Sequence, residues 1–154
     1  MSDPILLEIT VAPEADGNWV FSNEDKPVEL KLAKGESAKI TYKIVPDGWN
    51  FSENGTFFTE AQDNFNYNLI SDVSEDRLSV TVTIQAINLE HTISSEQLQK
   101  LIAEPTIAMP IELTHDHNSK VDFRLVAENV TANGVIRYFS QDPRVIIDNP
   151  DGPG

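Results

Sequence analysis

Residues 77–87 read RLSVTVTIQAI. Leu78, Val80, Val82, Ile84 and Ala86 fall on one side of an extended chain, and Ser79, Thr81, Thr83 and Gln85 on the other. Side chains alternate across a strand with period two, so this pattern predicts a strand with one dry and one wet face. The same alternation recurs at Ile5, Leu7, Ile9 and Val11, and at Val28, Leu30 and Leu32. It returns at Ala38, Ile40, Tyr42 and Ile44, and at Val121, Phe123, Leu125 and Ala127. Asp16-Gly17 predicts a hairpin from the first strand into residues 18–21. Asn133-Gly134 predicts a type I′ hairpin into residues 134–141. Pro143 then breaks the run, and residues 144–148 predict a last short strand.

Two segments follow other rules. Ser94-Ser95-Glu96-Gln97 fits a capping box, with Ile93 and Leu98 as its hydrophobic staple. Leu98, Leu101 and Ile102 then share one face, which predicts a short helix near residues 94–103, stopped by Pro105. Residues 106–113 predict a strand at a sheet edge, because Pro110 removes a donor. Residues 46–68 are aperiodic and rich in Asn and aromatics, which predicts a long loop. The fold class expected is all-β: an immunoglobulin-like antiparallel β-sandwich of about eight strands with one short helix. One domain is expected over residues 1–148, with a flexible tail at 149–154.

Composition narrows the chemistry. The chain has no cysteine, which excludes thiol catalysis, disulfides and thiolate metal sites. Its 25 acidic and 11 basic residues give a formal net charge of −14. Nucleic acid requires a basic footprint to neutralise phosphates, and an anionic membrane is disfavoured by the same field, so neither is expected as a partner. No apolar run nears the roughly 20 residues of a membrane helix, and the start lacks a signal-peptide pattern. A cytoplasmic protein without a cofactor is the expectation.

Two dipeptides stand out, Glu104-Pro105 after the helix and Asp142-Pro143 in YFSQDPRVIID. With the strand pattern they resemble the DP-EP family of bacterial β-sandwich proteins, whose members have no assigned biochemical activity. More distantly, Tyr138-Phe139-Ser140-Gln141-Asp142-Pro143 resembles the ending of inclusion-body proteins of the AidA/PixA type. The resemblance implies a bacterial β-sandwich of unknown role and supplies no catalytic residue. Physically, an acid before proline is held extended and can accept backbone N–H groups, which suits a chain turn.

Four constellations bear on function. His115-Asp116-His117 has the spacing of two metal ligands on a strand, with His91, Asp122 or Glu112 as a third. Trp49, Phe51, Phe57, Phe58, Phe65 and Tyr67 are six of the twelve aromatics, gathered in one segment among amides and carboxylates. They form a ligand or partner surface if exposed, and a plug for the sandwich end if buried. Glu29, Glu60, Asp63 and Glu112 are unmarked candidates for a hydrolytic carboxylate pair. Asp72, Glu75 and Asp76 are candidates for weak calcium binding. No G-x-S-x-G elbow or glycine-rich phosphate loop occurs. The expected function is therefore a non-enzymatic binding or self-assembly module, with a protein partner or a homo-oligomer built through loops or sheet edges. Residues 144–148 are a candidate strand for pairing in trans. The alternative is a carbohydrate-binding module or weak glycoside hydrolase using the aromatic loop 46–68.

Overall fold

The computed structural model describes residues 3–45, 47–59, 63–87, 90–115 and 120–148. Among them are eleven strands and two helices. The first sheet joins β1 (Ile5–Ala12), β2 (Val20–Phe21), β4 (Ser37–Ile44), β6 (Tyr67–Val73) and β7 (Ser79–Ala86), in the order β2-β1-β4-β7-β6. Alternation forms these strands as the sequence predicts. Val80, Val82, Ile84 and Ala86 are fully buried, as are Ala38, Ile40 and Tyr42. The outward face carries hydroxyls and lysines, and Thr41 and Thr81 share a cross-strand hydrogen bond of 2.9 Å.

The second layer has two three-stranded parts. One contains β5 (Asn50–Phe58), β9 (Phe123–Thr131) and β10 (Gly134–Phe139), ordered β10-β9-β5. The other contains β3 (Val28–Lys31), β8 (Lys120–Val121) and β11 (Val145–Asp148), ordered β3-β11-β8. Only Asp122 separates β8 from β9, so one run of chain serves both parts. The two layers bury a single core, with Tyr42 meeting Phe123 edge-on at 6.1 Å between ring centres.

An all-β sandwich is what forms, but it is not purely antiparallel. β1 pairs with β4 in parallel, Ile5 opposite Ala38, and β3 pairs with β11 in parallel, Val28 opposite Val145. Parallel neighbours need a crossover. Here the chain leaves the first sheet after β2, runs through β3 in the second layer and returns as β4.

Other expectations are corrected. Residues 46–68 are not one loop: they contain β5, the four-residue helix α1 (Asp63–Asn66) and the start of β6. β5 pairs Phe51 with Ala127 and Thr56 with Leu125, so residues 52–55 bulge out opposite Val126 alone. That bulge destroys the period-two signal. Residues 106–113 form no strand; an isolated bridge joins Thr92 to Thr114. Residues 145–148 are not available in trans, because β11 lies between β3 and β8 with Val145 and Ile147 buried. The Asn133-Gly134 hairpin forms, with Thr131 opposite Gly134. Its turn is not type I′, since Gly134 alone of the turn residues takes positive φ (131°). Leu78 lies just before β7 and is exposed rather than buried.

The helix α2 (Ser95–Ala103) forms as its sequence predicts. Ser94 is the N-cap, its hydroxyl accepting from the Gln97 N–H at 3.3 Å. Glu104 closes it, its N–H donating to the Lys100 carbonyl, and Pro105 lies beyond. No described helix is long and apolar enough to cross a membrane.

Candidate functional site

The outer faces of the two layers differ in chemistry. The first sheet shows mainly threonine, serine and lysine to solvent, with Leu6 and Ile70 exposed among them. On the second layer, residues directly opposite across a ladder share a face. Phe139 stands opposite Val126, Arg137 opposite Glu128, and Val135 opposite Val130. Phe57 joins them from β5, its ring 6.0 Å from that of Phe139 in an edge-on contact. Phe57 is 53% exposed, Phe139 50%, Val135 58% and Val130 78%. With the β5 bulge as an overhang, Ser52, Glu53, Asn54, Phe57, Arg137 and Phe139 line a shallow cleft of about 240 Å³.

Beside this patch, β10 is paired on one side only. β3 flanks β11 but does not extend along β10, so the outer edge of β10 is bare of strand partners among the described residues. An unpaired edge presents a row of backbone donors and acceptors for another strand. The other rim of this sheet is closed. The β5 bulge seats Gly55 against Val73 and Val80 of β6 and β7, and the Ser71 hydroxyl donates to the Asn54 carbonyl at 2.7 Å.

A charge network fixes the patch. Glu128 accepts from Arg77 Nη2 and Arg137 Nε, each at 2.6 Å. Arg77 also donates through Nε to the Phe51 carbonyl at 2.9 Å, tying the β6–β7 connection to the second layer. The Arg137 hydrogen bond, reinforced by Arg77, holds the Glu128 carboxyl below its ordinary value against the opposing effect of burial.

Asp142-Pro143 occupies the break between β10 and β11. From the Phe139–Val126 pair to the Val145–Val121 pair, this side advances six residues and its partner five. One extra residue is therefore absorbed, and Arg144 takes the left-handed φ of 59°. Asp142 accepts from the Arg144 N–H at 2.8 Å, as the acid-before-proline reading requires. Ser140 is fully buried and its hydroxyl accepts from the Leu125 N–H at 2.8 Å. The Asp142 carboxyl is pushed up to about 6, first by burial and then by Asp122, whose carboxyl shares a hydrogen bond with it. Lys120 pairs with Asp122 at 3.5 Å. Tyr42 lies within the electrostatic reach of Asp142, and its buried hydroxyl has no hydrogen-bond partner among the described residues. Burial, with Asp142 adding to it, drives the phenol far above its ordinary range.

The predicted site residues are dispersed. Phe51 and Tyr67 are buried in the core. Trp49 packs edge-on against Tyr138 at 4.8 Å between ring centres, and Phe58 lies tilted against Phe123 at 5.7 Å. Phe65 is exposed on α1, and only Phe57 reaches the cleft. His117 and Glu60 lie outside the described residues. The ring of His115 stands 4.9 Å from that of His91. The groups of three or more His, Asp or Glu that could hold a metal number none among the described residues. Asp76 is a turn residue, accepting from the Ser74 hydroxyl and the Leu78 N–H. The carboxyl pair that the fold assembles, Asp122 and Asp142, was not among the candidate pairs, although Asp122 was a candidate metal ligand. Phe139, Arg137 and Glu128 were missed as well. Their signal was that GVIRYF is apolar on both alternations, which a strand with one wet face is not.

No family model matches the chain, and no curated protein sequence matches it.

Proposed function

We propose that this protein is a non-enzymatic binding module that takes an extended segment of a partner protein along β10. The carrying observation is the coincidence of a strand edge bare of partners among the described residues with exposed apolar side chains along it, Phe57 and Phe139 at one end and Val130 and Val135 at the other, with the Arg137–Glu128 pair between them. Strand addition draws affinity from backbone hydrogen bonds and specificity from alternate side chains. Covering the exposed halves of the two phenylalanine rings removes on the order of 100 Å² each, worth about 2 kcal/mol apiece. The partner segment is apolar at alternate positions and basic overall. A net charge of −14 attracts it and opposes a second copy of this chain. The resemblance to the DP-EP family, and the bacterial cytoplasmic setting expected with it, belong to the same proposal.

A second reading has one observation in its favour. The cleft sets Phe57 and Phe139 beside Ser52, Glu53 and Asn54, which offers rings and hydrogen-bonding groups to a sugar. The two rings lie at 83° to each other and make no flat platform, which favours the peptide.

The test titrates a synthetic peptide of alternating valine and lysine into isotope-labelled protein. Amide shifts confined to β10 and the Phe57–Phe139 patch are expected, with affinity reduced at least tenfold in Phe139→Lys. Saturating peptide that moves no β10 amide overturns the proposal. So does a dimer that forms through β10 without peptide, or a glycan panel that shifts residues 52–57 where the peptide does not.

A further inference from the structure

The chain has three histidines, and the fold brings two of them together from segments far apart in sequence. Thr92 and Thr114 form an isolated antiparallel bridge. Each donates its N–H to the other's carbonyl, at 3.0 and 2.8 Å. In an antiparallel ladder the pair next to such a doubly bonded pair is the close, non-hydrogen-bonded kind, with side chains on the same side. That next pair is His91 and His115. Their ring centres are 4.9 Å apart and the planes are tilted by 44°.

That spacing matters. A metal–nitrogen bond of about 2.0–2.1 Å places an imidazole centre roughly 3.2 Å from the ion. Two such rings at an angle between square and tetrahedral then sit roughly 4.5–5.2 Å apart. The observed separation falls inside this window. The backbone beneath is held firmly: Asn66, fully buried, donates to the His91 carbonyl at 2.9 Å, and the Thr92 hydroxyl donates to the Asn66 side-chain oxygen at 3.2 Å. The Thr114 hydroxyl donates to the Thr92 carbonyl at 3.2 Å. A backbone fixed by buried polar partners keeps the two Cα positions in register, so that only side-chain rotation is lost on binding.

We propose that His91 and His115 form a two-histidine site for a divalent first-row transition ion, with water completing the coordination sphere. Imidazole pairs suit Cu²⁺ best, then Ni²⁺ and Zn²⁺. The strongly acidic chain raises the local concentration of any such cation. The sequence reading offered His91 as one of three possible third ligands beside His115 and His117; the fold places it against His115, and His117 lies outside the described residues.

The experiment titrates Zn²⁺ and Cu²⁺ into the untagged full chain by calorimetry, with the unfolding midpoint followed in parallel. One equivalent is expected, with Cu²⁺ bound more tightly than Zn²⁺. His91→Asn and His115→Asn should each weaken binding at least tenfold, while His117→Asn leaves it within about twofold. Bound metal should also raise the unfolding midpoint of the wild type and of His117→Asn, and leave that of His91→Asn unmoved. Binding that survives His91→Asn but is lost in His117→Asn overturns the proposal. Absence of binding at millimolar Zn²⁺ and Cu²⁺ overturns it equally. Circular dichroism of each variant without metal shows whether a loss of binding reflects the site or the fold; if His91→Asn is misfolded, His115→Asn, at the exposed ring, carries the test.

Discussion

The side chain of Gln141 grips the backbone of Trp19 at both of its polar groups. Its Oε1 accepts from the Trp19 N–H at 2.9 Å, and its Nε2 donates to the Trp19 carbonyl at 3.0 Å. A single amide thus does what a neighbouring strand would do for Trp19, across 122 residues of sequence. The contact sits where β10 gives way to β11, next to the buried Ser140, and Trp19 itself is buried. Replacing Gln141 with Ala leaves a buried donor and acceptor unpaired. An orphaned polar group costs about 1–3 kcal/mol, so Gln141→Ala should lose on the order of 2–4 kcal/mol. Gln141→Glu keeps the acceptor, loses the donor and should fall between. Urea denaturation measures all three; a loss below about 0.5 kcal/mol in Gln141→Ala would show the clasp to be ornamental.

Asp142 gives stability a pH dependence of unusual sign. Its folded value of about 6 lies above its ordinary value near 3.8, so the native state holds the proton more tightly than the unfolded chain. The contribution is full below about pH 4 and is lost as pH rises through about 6. Glu128 acts oppositely. Its depressed carboxyl supports the fold above its ordinary value and gives way as pH falls through the folded one. Asp142→Asn keeps an acceptor for the Arg144 N–H and a donor for Asp122, with the titration removed. The wild-type midpoint in urea, relative to that of Asp142→Asn, should decline between about pH 4 and 7. Parallel curves for the two proteins would sink the assignment.

Arg77 and Arg137 share Glu128 but should not contribute equally. Arg77 is the less exposed of the two and also donates to the Phe51 carbonyl, joining the layers. Arg137 reaches Glu128 from the solvent side of the patch. Exposed ion pairs are worth about 0–1 kcal/mol, and charge-assisted bonds in part-buried settings more. Arg77→Ala should therefore cost about 1–3 kcal/mol and Arg137→Ala clearly less. The two single variants and the Glu128→Gln protein, compared in thermal and urea unfolding, decide the order.

Among the described glycines, Gly55 alone leaves no room for an added Cβ. Its φ is 72°, and a Cβ there would lie 2.8 Å from methyl groups of Val73 and Val80. Gly55→Ala has to adopt a left-handed backbone and push apart two valines that face each other across the β6–β7 ladder. A loss of about 2–4 kcal/mol is expected, against about 1 kcal/mol at Gly35, where φ is 89° but nothing crowds the added atom. Equal losses at the two glycines would show that φ alone matters.

Much of the fold was legible in local pattern, and specific residues show where legibility ended. Val80, Val82 and Ile84 were placed correctly because a strand with one wet face writes its burial directly into alternation. Ser94 was recognised because a cap is a contact within one turn. β5 was hidden because four bulged residues, 52–55, shift Thr56, Phe57 and Phe58 out of phase with Phe51. The aromatic segment therefore looked like a loop and a candidate surface, while Phe51 and Tyr67 are core residues. The outer patch was hidden because Phe57 and Phe139 lie 82 positions apart and meet only when β5 and β10 flank β9.

Sequence by itself determined that strands would form, which faces of most of them would be dry, where α2 begins and ends, and that no thiol chemistry is available. These follow from periodicity, capping and composition, which are properties of neighbours along the chain. Only the tertiary structure decided that β1 and β4 run parallel, that β11 is an interior strand, that Asp122 meets Asp142, and that His91 faces His115. Those relations join residues distant in sequence, and their free energy comes from burial and pairing that exist only once the two layers have closed on each other.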